Sequence, residues 1–85
     1  MYKIYTASPK VERKLNAYLV LRNDVKYKLD KLREDPRRNC GAHPLKGELS
    51  GRWACWLGSN IRMIYRIDDL NKIIEVLVVG THKVY

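Results

Sequence analysis

Residues 61–67 read IRMIYRI, an alternation that predicts a β-strand with two different faces. Every odd position is apolar, whereas the even positions include Arg62 and Arg66. Buried strands seldom carry two arginines, so a sheet with helices on its apolar face would leave both on an open, phosphate-binding face. The alternative is that these two arginines serve only solubility.

Two apolar segments flank this stretch, Trp53 to Leu57 before it and Ile73 to Val79 after it. Short polar turns at residues 58–60 and 68–71 separate the three segments. Turns of this length join neighbouring antiparallel strands, so the sequence predicts a three-strand meander.

A first strand and two helices are expected before the meander. Alternation over residues 1–6 predicts the strand. Ser8 can accept an amide hydrogen bond at a helix start and Pro9 suits the first helical position, so the first helix should run from there to about residue 16 or 18. The second helix is expected from residue 23 or 24 to residue 35, because Pro36 cannot continue it.

The periodicity disappears between residues 37 and 51, where glycines and a proline interrupt the chain. This segment is interpreted as a long connection, and long connections in compact domains are often functional. The predicted fold class is therefore α+β. It is a small antiparallel sheet, built from the first strand and the three-strand meander, with both helices packed on one face.

Length and composition fit one domain spanning residues 1–85, with 46% hydrophobic residues to build its core. Lys and Arg outnumber Asp and Glu by 17 to 9, which gives a net charge of +8. A field of this strength favours a polyanionic partner, with nucleic acid first and a membrane surface or an acidic protein behind it. Solubility alone would also explain the charge.

The sequence has neither a long apolar run nor an N-terminal signal pattern, so a cytoplasmic protein is expected. Cys40 and Cys55 are too far apart for a CxxC pair, and both are expected to be reduced and structural. Two histidines and two scattered thiols lack the spacing of metal ligands, and no P-loop or dinucleotide motif occurs. No metal or other cofactor is therefore expected.

Three motifs in order, HPLKGELSGRW at residues 43–53, IRMIYRI, and GTHKVY at residues 80–85, resemble the RelE/ParE superfamily of bacterial and archaeal toxins. The resemblance covers nearly the whole chain and implies a RelE-like fold and a toxin held inactive by a cognate antitoxin protein. For the RelE, YoeB and YafQ branches it implies an endoribonuclease, an mRNA interferase acting on messenger RNA in the ribosomal A site.

Two alternative functions remain open within this resemblance. The ParE branch has the same fold but inhibits DNA gyrase, and it generally lacks the nuclease residues that His82 and Tyr85 resemble. An inactive RNA-binding relative would bind RNA without cutting it.

The resemblance also implies catalytic roles for four residues. Arg62 corresponds to the arginine that faces the scissile phosphate, and His82 falls where YafQ-like toxins have a histidine in a matching Gly-Thr-His. His82 is expected to act as the general acid. Tyr85 resembles the terminal aromatic used near the phosphate or stacked on a base. His43 stands where relatives have a histidine or a glutamate as general base, and Glu48 is the alternative base.

Four further basic residues are expected to bind RNA: Lys46, Arg52, Arg66 and Lys83. Trp53 and Cys55 stand at about the positions where RelE proper has lysines, which disfavours acid–base work by lysine there. Trp53 is expected to pack in the core, with stacking on an RNA base as the alternative. Trp56 and Tyr65 are expected to be core residues.

Overall fold

The structure, a computed structural model, describes residues 1–58 and 60–81. Within that part of the chain the main elements are β1 (Lys3–Thr6), α1 (Pro9–Leu21), α2 (Asn23–Glu34), β2 (His43–Pro44), β3 (Trp53–Trp56), β4 (Ile61–Asp68) and β5 (Ile73–Thr81). None of the helices described is long and apolar enough to cross a membrane.

The strands form one five-stranded sheet in the order β1-β5-β4-β3-β2. The β3-β4-β5 meander is antiparallel, as predicted. Two features differ from the prediction: the sheet is mixed and not wholly antiparallel, because β1 pairs parallel with β5, and the short strand β2 pairs antiparallel with β3 within the expected connection. The α+β fold class, with both helices on one face of the sheet, is confirmed.

Helix α1 begins where its capping residues predict, and α2 begins at Asn23 within the predicted range. The Ser8 side chain accepts a hydrogen bond from the Val11 amide at 3.2 Å, and Pro9 is the first residue of α1. The α1 helix continues to Leu21, beyond the predicted end, and α2 ends at Glu34, one residue before the predicted end.

The core lies between the helices and one face of the sheet. Both helices and three strands contribute its buried residues, among them Leu15, Val25, Leu29, Leu32, Cys55, Met63, Tyr65, Ile74 and Val76. Tyr65 is fully buried, as expected, and its hydroxyl donates to the Pro36 carbonyl oxygen at 2.6 Å. This bond ties the central strand β4 to the start of the connection that follows α2.

The two tryptophans of β3 lie on opposite sides of the sheet. Trp53 packs against the core, as expected. The prediction that Trp56 is a core residue is wrong, because Trp56 is 37% exposed. Side chains alternate along a strand, so Trp53 and Cys55 face the helices whereas Ala54 and Trp56 face away from them.

Candidate functional site

The predicted basic side chains of β4 lie on the sheet face opposite the helices, which we call the open face. Cross-strand register assigns to it nine residues of the four strands β2 to β5: His43, Ala54, Trp56, Arg62, Ile64, Arg66, Glu75, Val78 and Gly80. Ala54 and Ile64 are buried and form an apolar floor between the polar side chains.

The Arg62 side chain lies against the indole of Trp56. The two residues are paired across β3 and β4, and the guanidinium carbon is 4.2 Å from the centre of the indole ring. The Nε atom of Arg62 is buried. Because Trp56 is on β3, the guanidinium leans from β4 toward β3, in the direction of β2, and its orientation is restricted by the ring.

His43 is exposed on β2, at the edge of the sheet next to β3. Its Nδ1 atom is 3.0 Å from the Gly41 carbonyl oxygen. A carbonyl oxygen only accepts hydrogen bonds, so this contact favours the tautomer with the proton on Nδ1. The Nε2 lone pair of the neutral imidazole is then the one able to take up a proton.

His43 and Arg62 lie near each other on the open face. His43 pairs with Ala54, and Ala54 pairs with Ile64, two residues from Arg62 on the same strand. Two interstrand spacings of about 4.8 Å and a two-residue offset of about 6.8 Å separate the Cα atoms by roughly 12 Å. Their side chains point to the same side of the sheet.

The start of the connection that carries His43 is fixed to the rest of the fold. Arg37 donates two hydrogen bonds to the Asp69 carboxylate, at 2.9 and 2.7 Å. These bonds, with a further one from the Tyr2 hydroxyl, hold the pKa of Asp69 well below its usual range. The Cys40 thiol donates to the Lys28 carbonyl oxygen at 3.0 Å. The loop entering β2 is therefore held at both the sheet end and the helix end.

The other predicted RNA-binding residues that the structure describes lie farther from Arg62 and His43 or have an acidic or backbone partner. Arg66 shares the open face, but its guanidinium is 3.9 Å from the Glu75 carboxylate. Lys46 is exposed beyond β2, and Arg52 donates a hydrogen bond to the Glu48 backbone oxygen at 3.3 Å. The structure thus groups His43, Arg62 and Arg66 on one face, with Lys46 and Arg52 in the segment between β2 and β3.

His82, Lys83 and Tyr85 lie outside the described residues, so their predicted roles stay predictions. In the sequence His82 directly follows Thr81, the last residue of β5, and Gly80 of the same strand pairs with Arg62.

Both cysteines are free thiols. Cys55 is buried among apolar side chains, and this burial raises the pKa of its thiol, which keeps it protonated and unreactive. Within residues 1–58 and 60–81, no group of three or more His, Cys, Asp or Glu side chains is placed to hold a metal ion.

Sequence reasoning missed Trp56 as a member of the site. A signal for it was present, because Trp53, Cys55 and Leu57 already share one side of β3 by alternation, which leaves Trp56 on the other. Once the turn at residues 58–60 is taken as the hairpin connection, Trp56 falls opposite Arg62.

No protein-family model and no curated protein matches the sequence. Solved structures do match over nearly the whole chain. The toxin–antitoxin complex RelBE2 from Mycobacterium tuberculosis is 25% identical with a TM-score of 0.74, and the match covers 95% of this chain and 98% of that one. The YoeB–YefM complex from Staphylococcus aureus is 19% identical with a TM-score of 0.73, covering 98% and 99%. YafQ from Escherichia coli is 18% identical with a TM-score of 0.68, covering 96% and 94%.

Proposed function

We infer, from the similarity of this chain to solved toxin structures of the RelE, YoeB and YafQ type and from the three sequence motifs that resemble them, that it is the toxin of a type II toxin–antitoxin system. We further propose that it is a cytoplasmic endoribonuclease that cleaves messenger RNA on the ribosome. The observation that carries this proposal is the presence of His43 and Arg62 on the same open face, with a tautomer of His43 that suits a base.

In the proposed reaction the 2′-oxygen of a ribose attacks the adjacent phosphate and displaces the 5′-oxygen of the next nucleotide. Nε2 of His43 takes the proton from the 2′-hydroxyl. Arg62 offers its guanidinium to the phosphate oxygens, on which negative charge accumulates in the transition state. Arg62 acts from the central strand β4 and His43 from the edge strand β2, so hydrogen bonds of the sheet position both residues.

The remaining roles in the proposal rest on the sequence. His82 protonates the leaving 5′-oxygen as the general acid, since an imidazole is the side chain best suited to give up a proton near neutral pH. Tyr85 contacts the phosphate or stacks on a neighbouring base. Lys46, Arg52, Arg66 and Lys83 bind the RNA backbone. No metal ion takes part in the proposed mechanism.

The proposed partner is an acidic antitoxin. The net charge of +8 favours an acidic segment, and an antitoxin has to cover the basic face to block access of RNA. RelBE2 and YoeB–YefM are toxin–antitoxin complexes, which supports a partner of this class. Co-expression with a small acidic protein encoded beside this chain should relieve toxicity and yield a stable complex. Toxicity unaffected by that protein would count against this pairing.

The decisive experiment incubates purified protein with ribosomes programmed with messenger RNA, in the presence of EDTA, and maps the cut sites and the product ends. We expect 2′,3′-cyclic phosphate ends. Arg62→Ala should lower the cleavage rate by about 10²–10³-fold, and His43→Gln and His82→Gln each by about 10²–10⁴-fold. Arg13→Ala is the matched control, because Arg13 is exposed on α1, away from the open face, and its loss should leave the rate unchanged.

The pH dependence of the cleavage rate distinguishes the roles of His43 and His82. A base and an acid that are both imidazoles give a bell-shaped rate profile, and each His→Gln variant should lose one limb of it. If His43→Gln kept the bell-shaped pH profile of the wild type, His43 would not be the general base, and Glu48 would be the next candidate. Products with 3′-hydroxyl ends, or a strict requirement for Mg²⁺, would contradict the mechanism. Inhibition of gyrase supercoiling without RNA cleavage would instead assign the ParE-like activity.

A further inference from the structure

Trp56 is a large aromatic side chain that neither the core nor the proposed chemistry uses. It lies on the open face with 37% of its surface exposed. Small proteins gain stability by burying tryptophan, so an exposed indole beside a candidate catalytic arginine calls for an explanation in terms of binding.

The surroundings of Trp56 hold the ring in one orientation. Arg62 covers it at 4.2 Å from the ring centre. On another side, a Cβ built on Gly41 would come within 3.2 Å of the Cδ1 atom of the indole, so the backbone of Gly41 contacts the ring edge. The carbonyl of that same glycine contacts Nδ1 of His43. Trp56 therefore stands between the two residues proposed to act on the phosphate.

Two positions next to Trp56 and Arg62 on the open face carry little or no side chain. Ala54, two residues before Trp56 on β3, and Gly80, which pairs with Arg62 on β5, are both small. Both of these residues are buried, so a nucleobase would reach Trp56 through the exposed 37% of its own surface. Its phosphate would then lie toward Arg62.

We propose that Trp56 is a stacking site for an unpaired nucleobase of single-stranded RNA, next to the phosphate held by Arg62. The proposal rests on the proposed function for the identity of the ligand as RNA. Bases stack on aromatic rings with little dependence on their sequence, because every base has a π-face. Arg62 on one side and a base on the exposed surface give the indole two partners that match its electron-rich faces.

The test compares two cleavage-resistant probes of equal charge. One is a hexamer of 2′-O-methyladenosine, and the other is a hexamer of the same 2′-O-methylribose-phosphate backbone without bases. Their dissociation constants are measured by fluorescence anisotropy at one fixed salt concentration. The wild-type protein should bind the base-containing hexamer about 5- to 150-fold more tightly, the range expected for one stacked base.

Substitutions of Trp56 test whether its indole ring causes the preference for the base-containing hexamer. In Trp56→Leu the ratio of the two dissociation constants should fall about 5- to 150-fold, the contribution of one stacked base, whereas in Trp56→Phe most of the ratio should remain. Trp53→Phe is the matched control, because Trp53 packs on the core side of the same strand, and its ratio should stay at the wild-type value. A change in Arg62 caused by losing the indole would weaken both hexamers equally, so it leaves the ratio unaffected.

A second measurement uses no variant of Trp56. The chain has two tryptophans, so in Trp53→Phe the indole fluorescence comes from Trp56 alone. The base-containing hexamer should quench it and the baseless hexamer should not. Equal affinity of the wild type for both hexamers, or an unchanged ratio in Trp56→Leu, overturns the proposal even if ribosome-bound messenger is cleaved. A ratio that depends on Trp56 supports it even if no cleavage is found, in which case only the nuclease function fails.

Discussion

Replacing Tyr65 by phenylalanine removes one oxygen atom from the core and leaves the aromatic ring in place. Tyr65 is fully buried, and its hydroxyl donates to the carbonyl oxygen of Pro36, itself a buried residue. Burial raises the pKa of the Tyr65 phenol, so the donor keeps its proton throughout the usual pH range. The bond is therefore present under all conditions in which the protein would be studied.

The expected loss of stability follows from the buried Pro36 carbonyl, which the substitution deprives of its hydrogen-bond donor. Without the hydroxyl, the Pro36 carbonyl stays buried and loses this hydrogen bond, which costs about 1–3 kcal/mol. We therefore expect Tyr65→Phe to lower the free energy of unfolding by about 2 kcal/mol. For a chain of this length, each kcal/mol lowers Tm by about 4–8 °C, so Tm should fall by roughly 8–16 °C.

Urea denaturation, monitored by circular dichroism and extrapolated linearly to water, measures this free energy. Tyr27→Phe is the matched control, because Tyr27 is 60% exposed on α2 and should change stability by less than about 0.5 kcal/mol. If Tyr65→Phe were as stable as Tyr27→Phe, the bond between β4 and the connection would not contribute to stability, and the reasoning would be refuted.

Three further stability predictions follow. Ser8→Ala should cost about 1 kcal/mol in urea denaturation, because the Val11 amide loses its capping acceptor; no change would show the cap to be dispensable. Gly58→Ala should cost about 1–3 kcal/mol in the same assay, since its φ of +134° strains any residue with a Cβ, and an equally stable variant would refute this. The pKa of Asp69 is lower in the folded protein than its unfolded value of 3.8, so the ionised carboxylate stabilises the fold at pH values above 3.8. This contribution is lost as the pH falls below 3.8 toward the folded pKa. Melting curves from pH 7 to 2 should thus show the wild type losing its advantage over Asp69→Asn on acidification, whereas a constant difference would mean that the contact with Arg37 does not act through this ionisation.

The features that depend on local patterns were predictable from the sequence. Strand alternation placed Arg62 and Arg66 on the face away from the helices, and the structure agrees. Capping chemistry at Ser8 and the break at Pro36 located the helix boundaries to within a few residues.

The features that depend on pairing between distant segments were not predictable. A two-residue strand such as His43–Pro44 carries no alternation, and it exists because β3 offers an edge to pair with. The parallel pairing of β1 with β5 leaves no mark in either strand alone. The error at Trp56 has a different origin, because the hydrophobicity of tryptophan favours burial whereas the alternation along β3 places this side chain on the open face. The roles of His82, Lys83 and Tyr85 remain predictions.

The parallel pairing of β1 with β5 determines when this chain can acquire its fold during synthesis. Lys3 pairs with Ile73, so β1 joins the sheet only through β5, about seventy residues later in the chain. β5 also separates β1 from β4, so the helices made early have no complete sheet to cover until β5 has left the ribosome. Contacts this distant in sequence close slowly, because the intervening chain must first be ordered. The buried core against which both helices pack is therefore complete only once β5 has joined the sheet.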